Sequence, residues 1–77
     1  MSKEIPPEKF YETIVQNTQR GDPYAIKFCG DPNRYVGIPI FDRTEESDDI
    51  FTLKVLEGGK TGMYKRCLQD IESMESV

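Results

Sequence analysis

Tyr35-Val36-Gly37-Ile38-Pro39-Ile40-Phe41 places a glycine and a proline inside a run that otherwise reads as one β-strand. Val36, Ile38 and Ile40 alternate with Tyr35, Gly37, Pro39 and Phe41, the two-residue period of an extended chain. Glycine inside a strand marks a sharp bend, and proline interrupts the hydrogen-bond ladder. A strand built this way is predicted to curl its sheet.

Shorter runs of the same kind lie on either side. Tyr24, Ile26 and Phe28 alternate with Ala25, Lys27 and Cys29, and Gly30-Asp31-Pro32-Asn33 is a strong turn signal. Downstream, Asp42 to Asp49 is too charged to be core, and Phe51, Leu53 and Val55 form a third alternating strand. Glu57-Gly58-Gly59-Lys60 makes a second tight turn, Thr61 to Cys67 a fourth strand, and Leu68 and Ile71 mark a short fifth with Met74 near its end. Before the strands, Ile5-Pro6-Pro7-Glu8 resembles a helix start, because proline in the first turn lacks only an N–H that would be unpaired anyway. Phe10, Ile14, Val15 and Thr18 recur at helical spacing, and Gly21 and Pro23 end the pattern. The expected architecture is mainly β: an N-terminal α-helix over about residues 7–20, then a strongly bent five-stranded antiparallel β-barrel over about 24–75, as one domain spanning 1–77. The helix stripe is expected to cover one open end of the barrel.

Bulk composition narrows the function classes. The chain has 77 residues, 14 acidic and 10 basic, for a net charge of -4. That balance counts against broad phosphate attraction but permits a local basic patch. No histidine is present, and the two cysteines, Cys29 and Cys67, cannot close a tetrahedral zinc site, so no metal or other cofactor is expected. Without a histidine base or an activating motif the cysteines read as buried small hydrophobes, and the chain as a non-enzyme. Glu45-Glu46-Ser47-Asp48-Asp49 lacks the glycine and ligand spacing of a calcium loop and reads as a solvated acidic loop. No apolar run approaches the ~20 residues that span a bilayer, and no apolar targeting segment follows Met1-Ser2-Lys3-Glu4, so a cytoplasmic setting is expected.

The order of elements, with Gly37 in the second strand, Phe41-Asp42 at its end, Tyr64-Lys65-Arg66-Cys67-Leu68 at the last hairpin and Asp70-Ile71 with Met74 beyond, resembles the Sm-like family, closest to its bacterial Hfq-like branch. The resemblance covers about residues 7–76. It departs from the family at Arg66, where Hfq proteins carry histidine, at Pro39, and in the long acidic stretch 42–49.

The resemblance implies an SH3-type barrel that assembles into a homo-oligomeric ring of about five to seven subunits, the fourth strand of one pairing with the fifth of the next. Such closure would satisfy strand edges that are otherwise aggregation hazards. It further implies binding of single-stranded, uridine-rich RNA at a basic central pore, and a place in RNA metabolism. Carried onto this chain, Lys65 and Arg66 stand at the pore with Tyr64 just before them. Phe51 or Tyr64 offers a stacking face for a splayed base, and Arg43 and Asp49 are further candidates on the same face. A ring-forming protein-interaction module without general RNA affinity is the alternative.

Overall fold

The computed structural model describes residues 3–41 and 49–77. Over these residues the architecture is mainly β, with one N-terminal helix and a single antiparallel sheet. The elements run β1 (Glu4–Ile5), a 3-10 turn (Pro7–Lys9), α1 (Phe10–Arg20), β2 (Tyr24–Phe28), β3 (Arg34–Ile40), β4 (Ile50–Glu57), β5 (Gly62–Cys67), a second 3-10 turn (Leu68–Asp70) and β6 (Ile71–Ser76). Their spatial order is β1-β6-β2-β3-β4-β5.

Two expectations are corrected here. The sheet has six strands, because Glu4 and Ile5 pair with Glu75 and Met74 of β6 before the helix begins. The barrel is also not closed: β5 and β1 are the two edges, and no ladder joins them among the described residues. The sheet nevertheless curls far. Leu68–Asp70 alone carries the chain from β5 to the start of β6, and four Cα–Cα steps reach at most ~14 Å. Backbone bonds from the Leu68 N–H to the Asp49 carbonyl (2.7 Å) and from the Cys29 N–H to the Asp70 carbonyl (2.8 Å) pin this crossing to the starts and ends of neighbouring strands.

The curl originates in β3. Its ladder with β4 shifts register between Val36 and Gly37, leaving Leu56 bulged, and the neighbouring β2–β6 ladder is irregular at Lys27/Phe28. At Gly37 a Cβ would press into the Lys54 carbonyl and lie 3.0 Å from Leu53 Cδ1, so only glycine permits this approach. The parity of β3 also differs from a simple apolar-in pattern. Gly37 and Pro39 sit on the concave face opposite Val55 and Leu53 and are buried. Val36, Ile38 and Ile40 lie on the convex face and are half-buried. The two small or compact residues leave room on the concave side for the aromatic rings of the core.

That core comprises Phe10, Ile14, Ile26, Phe28, Phe51, Leu53, Val55, Ile71 and Met74. Phe10 and Ile14 of α1 cover it, as the helical spacing predicts, but Val15 is 43 % exposed and lies off the buried stripe. The position one turn on from Phe10 and Ile14 is filled by Asn17, which is buried and fully engaged. Its amide nitrogen donates to the Pro39 carbonyl and the Asp22 carbonyl, both at 2.9 Å, and its carbonyl oxygen accepts from the Asp22 N–H at 2.8 Å. Thr18 adds a second tie, donating to the Ile14 carbonyl and accepting from the Phe41 N–H. The helix stops at Gly21 (φ 71°), whose N–H bonds the Asn17 carbonyl. No helix among the described residues is long and apolar enough to cross a membrane.

Candidate functional site

Across the mouth of the curled sheet, side chains of β5 meet those of β2 and of the turn between β2 and β3 without a backbone ladder. On β5 the two-residue period puts Gly62, Tyr64 and Arg66 on the concave face, opposite Val55, Leu53 and Phe51 of β4. The Arg66 guanidinium lies over the Phe28 ring, 4.4 Å from its centre, and 3.7 Å from an Asp31 carboxylate oxygen. The same oxygen accepts a 2.6 Å hydrogen bond from the Tyr35 hydroxyl, and the other carboxylate oxygen accepts from the Asn33 N–H at 2.9 Å. The Tyr35 hydroxyl, followed by the Asn33 amide, holds the Asp31 carboxyl below its ordinary value; burial opposes them, and Arg66 adds the weakest of the lowering effects. Asp31 is therefore the fixed anionic anchor of the cluster.

Above these groups opens a cavity of about 270 Å³ lined by three aromatic rings (Phe28, Tyr35 and Tyr64), Leu53 and Val55 at its floor, and the polar groups of Asn33, Lys60 and Arg66. The Gly58-Gly59 turn forms one wall. Gly58 (φ 90°) packs against the Arg34 carbonyl, and a Cβ on Gly59 would meet the Tyr35 ring at 2.6 Å. A side chain at Gly58 would press into the backbone of β3, whereas one at Gly59 would meet only the Tyr35 ring. Tyr64 is 39 % exposed, so its ring presents a free surface to the opening.

The sequence-predicted residues separate in this arrangement. Tyr64 and Arg66 are brought together. Lys65 faces the convex side opposite Thr52 and does not line the cavity. Phe51 is a correction: it is 0 % exposed, stacked at 6.3 Å on Phe28, and offers no face to a base. Asp49 stands in the turn before β4, where its carbonyl accepts from Leu68. Arg43, like most of the acidic stretch, lies outside the described residues. Cys29 and Cys67 are exposed free thiols, not the buried hydrophobes expected. Among the described residues no group of three or more His, Cys, Asp or Glu side chains could hold a metal ion.

Phe28, Asp31, Asn33, Tyr35 and Lys60 belong to the site but were not singled out in the sequence. For Tyr35 a signal existed: it shares parity with Gly37 and Pro39, so once those turn inward it must too. For Asp31, Asn33 and Lys60 none did, since a turn motif carries no information about which distant strand it will face. No family model, curated protein or solved structure matches the chain.

Proposed function

We propose that the chain is an Sm-like module that binds single-stranded, uridine-rich RNA through the aromatic and cationic cavity, and that copies assemble head-to-tail through the β5 edge. The observation that carries the first half is the convergence of Tyr64 and Arg66 with Phe28, Tyr35 and Lys60 on one solvent-open cavity. Aromatic faces stack splayed bases, and neighbouring guanidinium and ammonium groups take the phosphates that follow. At about 270 Å³ the cavity is smaller than the roughly 300–1,000 Å³ of drug-sized ligand sites, which suits one pyrimidine better than a larger ring system. Asn33 supplies the amide that can pair with the edge of a base. A net charge of -4 restricts phosphate attraction to this patch, so affinity should be modest and strongly salt-dependent.

Fluorescence anisotropy with a labelled oligouridylate at low salt tests this. Binding should weaken roughly tenfold or more on Tyr64→Ala, since stacking contributes about 1–3 kcal/mol per base. Absence of binding at low salt would remove the RNA reading. A second reading, a protein-interaction module, draws on a different observation: among the described residues β5 is an edge strand six residues long, and it carries Met63, which is 65 % exposed.

A further inference from the structure

The two edges of the open sheet are unequal. β5 offers six residues, Gly62–Cys67, with Lys65 and Arg66 and no acidic residue. The opposite end consists of β6, with Glu72 and Glu75 and no basic residue, partly covered by the two-residue β1. Glu72 and Glu75 are ion-paired within the chain to Lys27 and Arg34, and Arg66 to Asp31, so what the two ends of the sheet offer each other between copies is the backbone ladder that an edge strand can extend. But β6 is not free to receive a strand along its whole length. β1 occupies it at Met74 and Glu75, the Ser76 N–H donates to the Lys3 carbonyl at 2.8 Å, and the Lys3 N–H donates to the Ser76 hydroxyl at 2.9 Å.

This cover is weakly held. Two residues make few ladder bonds, and Glu4 stands directly opposite Glu75, a like-charge cross-strand pair that destabilises the ladder. Glu75 already has a better partner in Arg34. What favours β1 is that it is tethered to the same chain, which gives it a high effective concentration. What anchors it is Ile5, half-buried against the core.

We infer that β1 is an intramolecular cap on the β6 edge, and that the β5 edge of a second copy displaces it when copies assemble. The inference rests on the head-to-tail reading above. It makes assembly depend on concentration, because the tethered cap prevails in dilute protein and the longer β5 strand prevails when copies are abundant.

Two variants test it, followed by native mass spectrometry and sedimentation velocity across a concentration series. Deletion of residues 1–5 should move assembly to at least tenfold lower concentration. Glu4→Cys with Glu75→Cys, on a background of Cys29→Ser and Cys67→Ser, places a thiol pair at the opposed β1–β6 positions. Oxidised, it should remain monomeric at every concentration; reduced, it should assemble, at a higher concentration than the parent because the Glu4–Glu75 repulsion no longer loosens the cap. The oxidation comparison decides the matter if the deletion fails to fold. Assembly that is indifferent to both deletion and oxidation overturns the cap and leaves head-to-tail pairing standing. Monomers throughout, in parent and variants alike, overturn the pairing and the cap with it.

Discussion

Gly37→Ala isolates the close approach that bends the sheet around the cavity. The added Cβ would press into the Lys54 carbonyl and come within 3.0 Å of Leu53 Cδ1 and 3.1 Å of the Lys54 carbonyl carbon. Two of these three contacts are backbone, so no side-chain rotation relieves them. Restoring ordinary contact near 3.5 Å requires β3 and β4 to part by on the order of 1 Å. Overpacking of this kind costs about 1–3 kcal/mol. A stretched ladder bond at Gly37–Val55 adds about 1 kcal/mol, and the lower backbone entropy of alanine in the unfolded chain returns roughly 0.5–1 kcal/mol. The net is about 2.5 kcal/mol. A chain of this length holds roughly 4–12 kcal/mol in all, and each kcal/mol shifts Tm by about 4–8 °C, so Tm should fall by roughly 10–20 °C. Urea and thermal unfolding followed by circular dichroism measure this directly. Gly59→Ala is the control, because its Cβ meets only the ring of Tyr35, which can turn aside. It should cost under about 1 kcal/mol of stability while distorting the cavity. If Gly37→Ala melts within about 2 °C of the parent, or no lower than Gly59→Ala, the backbone contact does not set the curvature and the reasoning fails.

Asn17→Ala strips the partners from the Asp22 and Pro39 carbonyls and should destabilise the fold by about 2–3 kcal/mol in urea titrations, more than Val15→Ala on the exposed side of the same helix. Phe51→Leu should lower stability by about 1–2 kcal/mol yet leave oligonucleotide affinity within about twofold, since its ring is core, whereas Tyr64→Ala should do the reverse. Arg66→Ala should weaken oligonucleotide binding and flatten its salt slope, while Lys65→Ala, on the other face of β5, should change both much less; equal effects in the anisotropy titration would show that binding does not use the cavity. The Asp31 carboxyl is held below its ordinary 3.8 by the Tyr35 hydroxyl first, so its contribution is complete above that value and is lost as pH falls through the lower folded one. Stability measured from about pH 5 to about pH 2 should therefore fall less steeply in Asp31→Asn than in the parent.

Local pattern determined the elements of this protein. Prolines and Gly21 bounded the helix, two-residue alternation marked the strands from Tyr24 to Val55, and the Gly30–Asn33 and Glu57–Lys60 turns separated their neighbours, because each signal acts within a few residues of itself. Tyr64 and Arg66 were legible as candidates only through the resemblance that the Tyr64–Leu68 stretch carries. Tertiary structure alone decided the rest. β1 escaped notice since two residues make no period, and only the proximity of Glu75 and Met74 turns them into a strand. The inward face of β3 depended on which side could accept the Lys54 carbonyl against a residue without a side chain, and that choice buried Gly37 and Pro39 in place of the larger Val36 and Ile38. Phe51 became core and Phe28, Asn33 and Tyr35 became the wall of the cavity by the register of strands far apart in sequence. Non-local pairing sets that register, and no short window of residues contains it.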